Sequence, residues 1–395
     1  MDEMKKMLCH DVEEMNEELF ELASFIFDNP EYNYEEYKAA ELLTNYLRKQ
    51  GFTVETGVAG LPTAFRAEWE NGTGGPVIGF LGEYDALKDL GHGCGHHLQT
   101  PICIGAALAV RKNIQDKPYK LVIYGTPAEE TTGGKLIMAK TGCFKELDVA
   151  FAYHSAGATR VPTSSKALQS IYVTFHGKPS HASESPELGR SALDAMVLSF
   201  NGLEYLREHI KDGCRIHYTI KESTGPSNIV HEIAKAAYTL RAPDKIYLEN
   251  MVKRFEKIIK GAVLMTETTY DVKYNLPFHN IIPIPVLRKT VLNNAVKMKL
   301  DDIDWNKDSS GGGSTDFGNV SWIIPSVVIY TDYCDAPSHT QEWVDAGKTE
   351  KARKSLVIGA SLLAMSVYDL INCPDLIEQA KSELEKAKKA LENRE

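Results

Sequence analysis

The chain reads as an α/β protein: a three-layer α/β/α domain around a mostly parallel sheet, interrupted by an inserted ferredoxin-like α+β domain. Three observations lead there. Four short apolar runs, "PVIGFL" (76–81), "KLVIYG" (120–125), "DVAFAY" (148–153) and "PSVVIY" (325–330), have strand length and are rich in β-branched or aromatic residues. Long helical patterns separate several of them, and continuous apolar strands alternating with helices imply a parallel sheet covered on both faces. The stretch from 168 to 280 follows a different order, β-α-β-β-α-β. At 395 residues the chain exceeds one ordinary core, so two domains are expected.

Taken in order, residues 11 to 50 read as two amphipathic helices, broken at "DNPEYNYEE" and stopped by Gly51. The first apolar strand leads into the cluster "GHGCGHH" (91–97), which is followed by the helical pattern "LQTPICIGAALAVRKNI". Within the insert, "LQSIYVTFHG" is a strand and "SPELGRSALDAMVLSFNGLEYLREHI" a helix. The strands "CRIHYTIKES" and "IAKAAYTLRA" follow, then the helix "DKIYLENMVKRFEKIIKGAV" and the strand "ETTYDVKYNL". The junctions "TSSK" and "NLPFHNIIPIP" are polar or proline-rich, as linkers are. The domains are therefore drawn at 1–167 with 281–395, and at 168–280. The terminal "IEQAKSELEKAKKALENRE" is a charged helix end with a solvated face.

Hydrophobic residues at 43% and charged residues at 25% suit a globular protein, and a net charge of −10 argues against nucleic acid or anionic membrane as partners. The seven cysteines, at 9, 94, 103, 143, 214, 334 and 373, are odd in number and form no C-x-x-C pair. The acidic, amphipathic N-terminus lacks the apolar core of a signal peptide, and no uninterrupted apolar run approaches the ~20 residues of a membrane span. The expectation is a reduced, cytoplasmic protein.

Three histidines and a cysteine within "GHGCGHH" suggest a transition metal, against the plainer reading of a buried cysteine beside solvated histidines. The residues after each strand decide between them. Glu83, Asp85 and the cluster follow the first, Glu129 and Glu130 in "TPAEE" the second, His154 in "FAYHSAG" the third, and His339 in "TDYCDAPSHTQEW" the fourth. Open parallel sheets bind ligands beyond the carboxyl ends of their strands, so all of these reach one rim. Cys94, His96, Glu130, His154 and His339 suit a site for two divalent ions ~3.5–4 Å apart, which would make amide hydrolysis the natural chemistry. Thiolate with imidazole suits zinc. A metal-bound carboxylate has no free lone pair for proton work, so Glu130 is read as ligand and Glu129 as general base.

The series "GEYDAL", "GHGCGHH", "TPAEETTGGK", "AYHSAG", "GKPSHAS" and "DAPSHT" resembles the co-catalytic metallopeptidase and aminoacylase family, and within it the cysteine-containing amidohydrolase branch of aminobenzoyl-glutamate hydrolase B-like proteins. The resemblance runs in order from about Tyr32 to His339. It implies the same five ligands and the same base, with Asp85 as an acid near the metal centre. It implies a metal-dependent amidohydrolase acting on N-acyl amino acids or dipeptide-like amides, with manganese in place of zinc in this branch. The inserted domain would be a lid and dimerisation domain, making the chain a homodimer. His181 would stabilise the oxyanion, while by residue type alone it is a solvated loop histidine. Asn228 and Arg241 would bind substrate; an arginine in a strand also finds a partner in a structural carboxylate. "SSGGGSTDFGN" (309–319) would bring backbone amides with Ser314 or Thr315 to a substrate carboxylate, and it lacks the ending of a phosphate loop. His97 stands where an aspartate or asparagine is usual, which leaves it as an extra ligand, a substrate contact or a support of the ligands; His92 is a support or a structural residue. The remaining alternatives are a dipeptidase or aminopeptidase recognising a free amine, and a catalytically silent binder.

Overall fold

The structure is a computed structural model and describes residues 1–223, 225–305 and 313–393. In chain order its elements are α1 (Glu3–Glu14), α2 (Asn16–Asp28), α3 (Tyr37–Lys49), β1 (Thr53–Thr56), β2 (Phe65–Asn71), β3 (Val77–Gly82), α4 (Gln99–Asn113), β4 (Tyr119–Gly125), α5 (Gly134–Thr141) and β5 (Val149–Ala156). Then come β6 (Ala167–His176), α6 (Ala192–Arg207), β7 (Arg215–Glu222), β8 (Ile233–Ala242), α7 (Lys245–Thr266) and β9 (Thr269–Tyr274). The chain closes with α8 (Pro285–Lys297), α9 (Phe317–Ser321), β10 (Ser326–Asp332), α10 (Gln341–Asp345), α11 (Glu350–Asn372) and α12 (Asp375–Glu392). Three helices rather than two precede β1, because the first begins at Glu3, capped by the Asp2 carboxylate on the Lys5 N–H.

Two compact units form. One is Met1–Ser164 with the described parts of Ile281–Gly311 and Thr315–Glu395; the other is Ser165–Asn280 with the described parts of Gly312–Ser314. In the first, the sheet runs β1-β2-β4-β3-β5-β10, with β4, β3, β5 and β10 parallel and β1 and β2 antiparallel. Alternate strand residues enter opposite cores. Phe80, Ile123, Phe151 and Ile329 pack with the α4 and α11 side, while Leu81, Val122, Ala152 and Val328 pack with Met138 of α5 and Val320 of α9. This two-sided burial is why the four runs read as continuously apolar.

By length and composition α11 is apolar enough to cross a membrane, although its sequence is not one uninterrupted apolar run. Of its apolar window 72% is buried, and it packs on α1, α4, α8 and β10 as a core helix.

The second unit has a fully antiparallel sheet, β7-β8-β6-β9, the ferredoxin-like order. Ile171, Val173, Phe175, Ala236, Tyr238 and Leu240 pack with α6 and α7 residues such as Met196, Leu203, Phe255 and Ile259. The alternate residues of β8, including Lys235, Thr239 and Arg241, face away from that core, so β8 is amphipathic. Arg241 thus lies on the polar face of an alternating strand.

Candidate metal centre

The parallel strands deliver their functional residues at or just beyond their carboxyl ends. Glu83 and Asp85 follow β3 directly and are buried. Between Cys94 and His96 the backbone turns through Gly95 at φ 81°, where a Cβ would lie 2.6 Å from Ser155 Oγ and 2.9 Å from Ser155 Cβ. Only glycine lets the cluster press so closely on the end of β5. After β4, Ala128 takes φ 60° just before Glu129 and Glu130. His154 lies within β5 itself. After β10, His339 takes φ 66° and its N–H donates to Gly93 O at 2.8 Å, tying the last loop back to the cluster.

The side chains converge. Ligand atoms of Cys94, His96 and His154 lie within 4.8 Å of one another, as do those of Cys94, Glu130 and His339. Glu129 belongs to two further sets, one with His96 and Glu130, the other with Glu83 and Asp316. Cys94 Sγ is 3.4 Å from His154 Nε2, and His339 Nε2 is 3.2 Å from Glu130 Oε1.

The residues fit a metal on three counts. His96 Nδ1–H donates to Asp85 Oδ1 at 3.0 Å and His154 Nδ1–H to Ser155 O at 2.8 Å, which turns each Nε2 lone pair toward the cluster. Buried His96 Nε2 and Glu130 Oε1 lack a well-formed hydrogen bond, although Glu83 Oε2 approaches the former to 3.1 Å and His339 Nε2 the latter to 3.2 Å. Atoms of this kind are costly to bury unless a cation takes them. Finally, the donor set mixes thiolate, imidazole and carboxylate, which divalent transition metals accept.

The electrostatics are strongly coupled. Burial pushes the Glu129 carboxyl well above the usual range, helped by the charges of Glu83, Asp316 and Glu130. Burial also opposes ionisation of Glu130, but the hydrogen bond from His339 and the charge of His96 outweigh it and pull Glu130 down to about 2. Burial raises the Cys94 thiol, with His96 opposing.

Lys135 went unnoticed in the sequence, and Glu83 and Asp316 carried no assigned chemical role there. Lys135, only 1% exposed, places Nζ 2.6 Å from Glu83 Oε1 and 2.6 Å from Asp316 Oδ1. Glu83 also accepts from Gln99 Nε2 at 2.6 Å. Despite burial, the charges of Lys135, His96 and His154 draw Glu83 down to about 2, whereas burial pushes Asp316 up to about 6 against the pull of Lys135. For Glu83 the usable signal was position, directly after a strand buried on both faces.

His92 and His97, left open by the sequence, donate from Nε2 to Ile26 O at 3.0 Å and Gly347 O at 2.9 Å. Both are buried beside Phe27 and brace the cluster from behind. Asp85 Oδ2 accepts the Glu130 N–H at 3.0 Å, so this one carboxylate orients His96 and Glu130 together.

The other expected site residues belong mostly to the second unit. His181 is exposed, with Nδ1 accepting the Ser183 and Glu184 N–H groups. The Ala182 N–H donates to Asn228 O at 2.9 Å, which sets the His181 and Asn228 loops side by side. Arg241 donates to Ser314 Oγ at 2.8 Å, joining two of the residues read as substrate-binding. Thr315 Oγ accepts the Phe317 N–H at 3.2 Å, and Gly311 and Gly312 of the glycine loop lie outside the described residues.

Residues 79–365 match the model of peptidase family M20/M25/M40. The chain is 34% identical to the Xaa-Arg dipeptidase of Mus musculus, over 96% of this chain and 92% of that protein. It is 30% identical to a p-aminobenzoyl-glutamate hydrolase subunit of Escherichia coli (strain K12), over 97% and 95%. Among solved structures it is similar in fold to an aminobenzoyl-glutamate utilization protein from Klebsiella pneumoniae, with TM-score 0.73, 17% identity and coverage of 92% and 98%. It is likewise similar to a dinuclear metal-binding peptidase of the M20 family from Bacillus subtilis, with TM-score 0.69, 16% identity and coverage of 90% and 99%. The chain is a hydrolase of the amidohydrolase and peptidase type. It belongs to peptidase family M20/M25/M40.

Proposed function

We propose that the chain hydrolyses the amide bond of an N-acyl amino acid or a dipeptide, using two divalent ions, manganese or zinc. The observation that carries this is Glu129 standing beside two ligand sets that share Cys94. Cys94, His96, His154, Glu130 and His339 would hold the ions. Divalent ions bound there would polarise the scissile carbonyl and acidify water.

The remaining work falls to the chain's own side chains. Glu129 takes a proton from the attacking water and passes it to the leaving amine nitrogen. Asp85 touches no substrate in this scheme; it fixes His96 and Glu130. From the inserted unit, His181 donates to the oxyanion of the tetrahedral intermediate. Asn228, Arg241, Ser314 and Thr315 receive the substrate's polar end, with the Arg241 guanidinium suited to a carboxylate. That unit acts as lid and as the contact of a homodimer, and the protein works in the cytoplasm.

A dipeptide with a free amine is favoured over an acyl group by one finding, the 34% identity to an Xaa-Arg dipeptidase. Metal analysis with a screen of N-acyl amino acids and dipeptides tests the whole reading. Two metals per chain and cleavage abolished by chelator are expected. Glu129→Gln should lose turnover by about 10²–10⁴-fold with metal retained, and Cys94→Ser should lose metal. Full turnover in Glu129→Gln would remove the base assignment.

A further inference from the structure

We propose that residues 31–36 form a clasp that sets the position of Glu129, with Glu36 as its positioning residue. The clasp lies upstream of residues 79–365, the part of the chain that matches the family model. It rests on the reading of Glu129 as base.

Glu36 is 0% exposed, and among the described residues no cation pairs with it. A buried carboxylate without a counter-ion is retained only where several donors hold it. Here Oε1 accepts the Ala128 N–H at 3.1 Å and the Tyr34 N–H at 3.0 Å, and Oε2 accepts the Thr63 hydroxyl at 2.8 Å. Ala128 is the residue whose left-handed backbone, at φ 60°, turns the chain into Glu129. Alanine does not choose that conformation unaided, so something outside the loop must impose it. Glu36 is in place to do so.

The clasp reaches the rim at two more points. Asn33 Oδ1 accepts the Thr131 hydroxyl at 3.2 Å, just beyond Glu130. Glu31 O accepts the Ala86 N–H at 2.7 Å, just beyond Asp85. Asn33 and Tyr34 are consecutive left-handed residues, at φ 58° and 68°, so the clasp is itself held in a costly shape. On the other side of Glu129, the Glu130 N–H goes to Asp85. The two peptide N–H groups flanking the base are thus each taken by a different buried carboxylate, one from the segment before α3 and one from the end of β3. Glu36 acts through Ala128 by geometry, and its charge is incidental.

Three substitutions separate position from charge. In Glu36→Gln the amide oxygen can accept both N–H groups while the amide nitrogen donates to Thr63, so kcat should stay within about twofold of wild type. Glu36→Asp keeps the charge and loses the reach; Glu36→Ala loses both. For these two, kcat should fall about 10–100-fold with KM and metal content unchanged, the cost of a base displaced by about an ångström. Amide hydrogen exchange in peptides covering 126–133 should rise in the Asp and Ala variants and not in the Gln variant, with α11 as the control for global folding. The clasp is overturned if Asp keeps wild-type kcat and protection, or if Gln falls as far as Asp. Should the wild type cleave nothing in the substrate screen, the functional reading fails alone, because the exchange ranking still decides the clasp.

Discussion

The two units handle charge in opposite ways. At the strand ends of the parent unit, Glu83, Asp85, His96, Lys135 and Asp316 are all buried and bonded to one another. In the inserted unit the polar residues expected at the site sit on exposed loops, as His181 and Asn228 do, or on the face of the sheet turned away from its core, as Arg241 does. Buried charges are fixed before substrate arrives, which favours catalysis by preorganisation. Exposed loop residues such as His181 and Asn228 can adjust when a ligand arrives, and tolerate change better. Substitutions should therefore hurt the parent unit through stability and metal affinity, and the inserted unit far less.

The largest effect is expected at Lys135. Lys135→Met leaves Glu83 and Asp316 buried without their shared cation, which should cost about 3–5 kcal/mol of folding stability. Urea unfolding of the metal-free protein would measure it. The counterpart in the inserted unit is His176, whose Nε2 meets Asp271 Oδ2 at 2.8 Å on the surface. His176→Ala should shift stability by no more than about 0.5 kcal/mol. Equal losses in the two variants would erase the contrast between the units.

Why Lys135 and Glu36 were invisible in the sequence follows from the same contrast. The ligands announced themselves because soft donors recurring at four strand ends are rarely accidental. The sheet was legible because strands buried on both faces are apolar at every position. Lys135, in "TTGGK", looks like any solvated lysine opening a helix, and Glu36, in "YNYEE", like any surface acid. Their burial depends on partners that distant segments bring to them: Asp316 from far along the chain, and the Ala128 N–H from a loop whose left-handed turn no residue type predicts. Asp85 lay between these cases. Its place after β3 was readable, but its double hold on His96 and Glu130 was not.

That double hold gives the middle effect. Asp85→Asn keeps the shape but offers one oxygen where two are used, so either the His96 Nδ1–H or the Glu130 N–H faces an amide N–H. Metal affinity should weaken about 10–100-fold, a loss typical of removing a partner that orients a ligand. Titration against a competing chelator reads this directly. Unchanged affinity would mean that the loop backbone alone fixes the ligands, and the parent unit would be less dependent on buried charge than its geometry suggests.

A smaller effect than at Lys135 or Asp85 lies in the inserted unit, where the half-buried group is a neutral histidine. Burial, with the nearby Lys245 charge, depresses His279 to about 4 from the ordinary 6.5. A histidine whose folded pKa lies below its unfolded one stays neutral when folded and takes a proton when unfolded between those values. Its contribution is therefore intact above pH ~6.5 and is lost as pH falls from there toward about 4. Between pH ~6.5 and ~5.5 the loss should be about 1 kcal/mol. His279→Gln should flatten the pH dependence of urea unfolding across that window by roughly one proton. A variant that still loses stability in parallel with the wild type would show that the acid sensitivity belongs to the buried cluster of the parent unit instead, where the charged groups are.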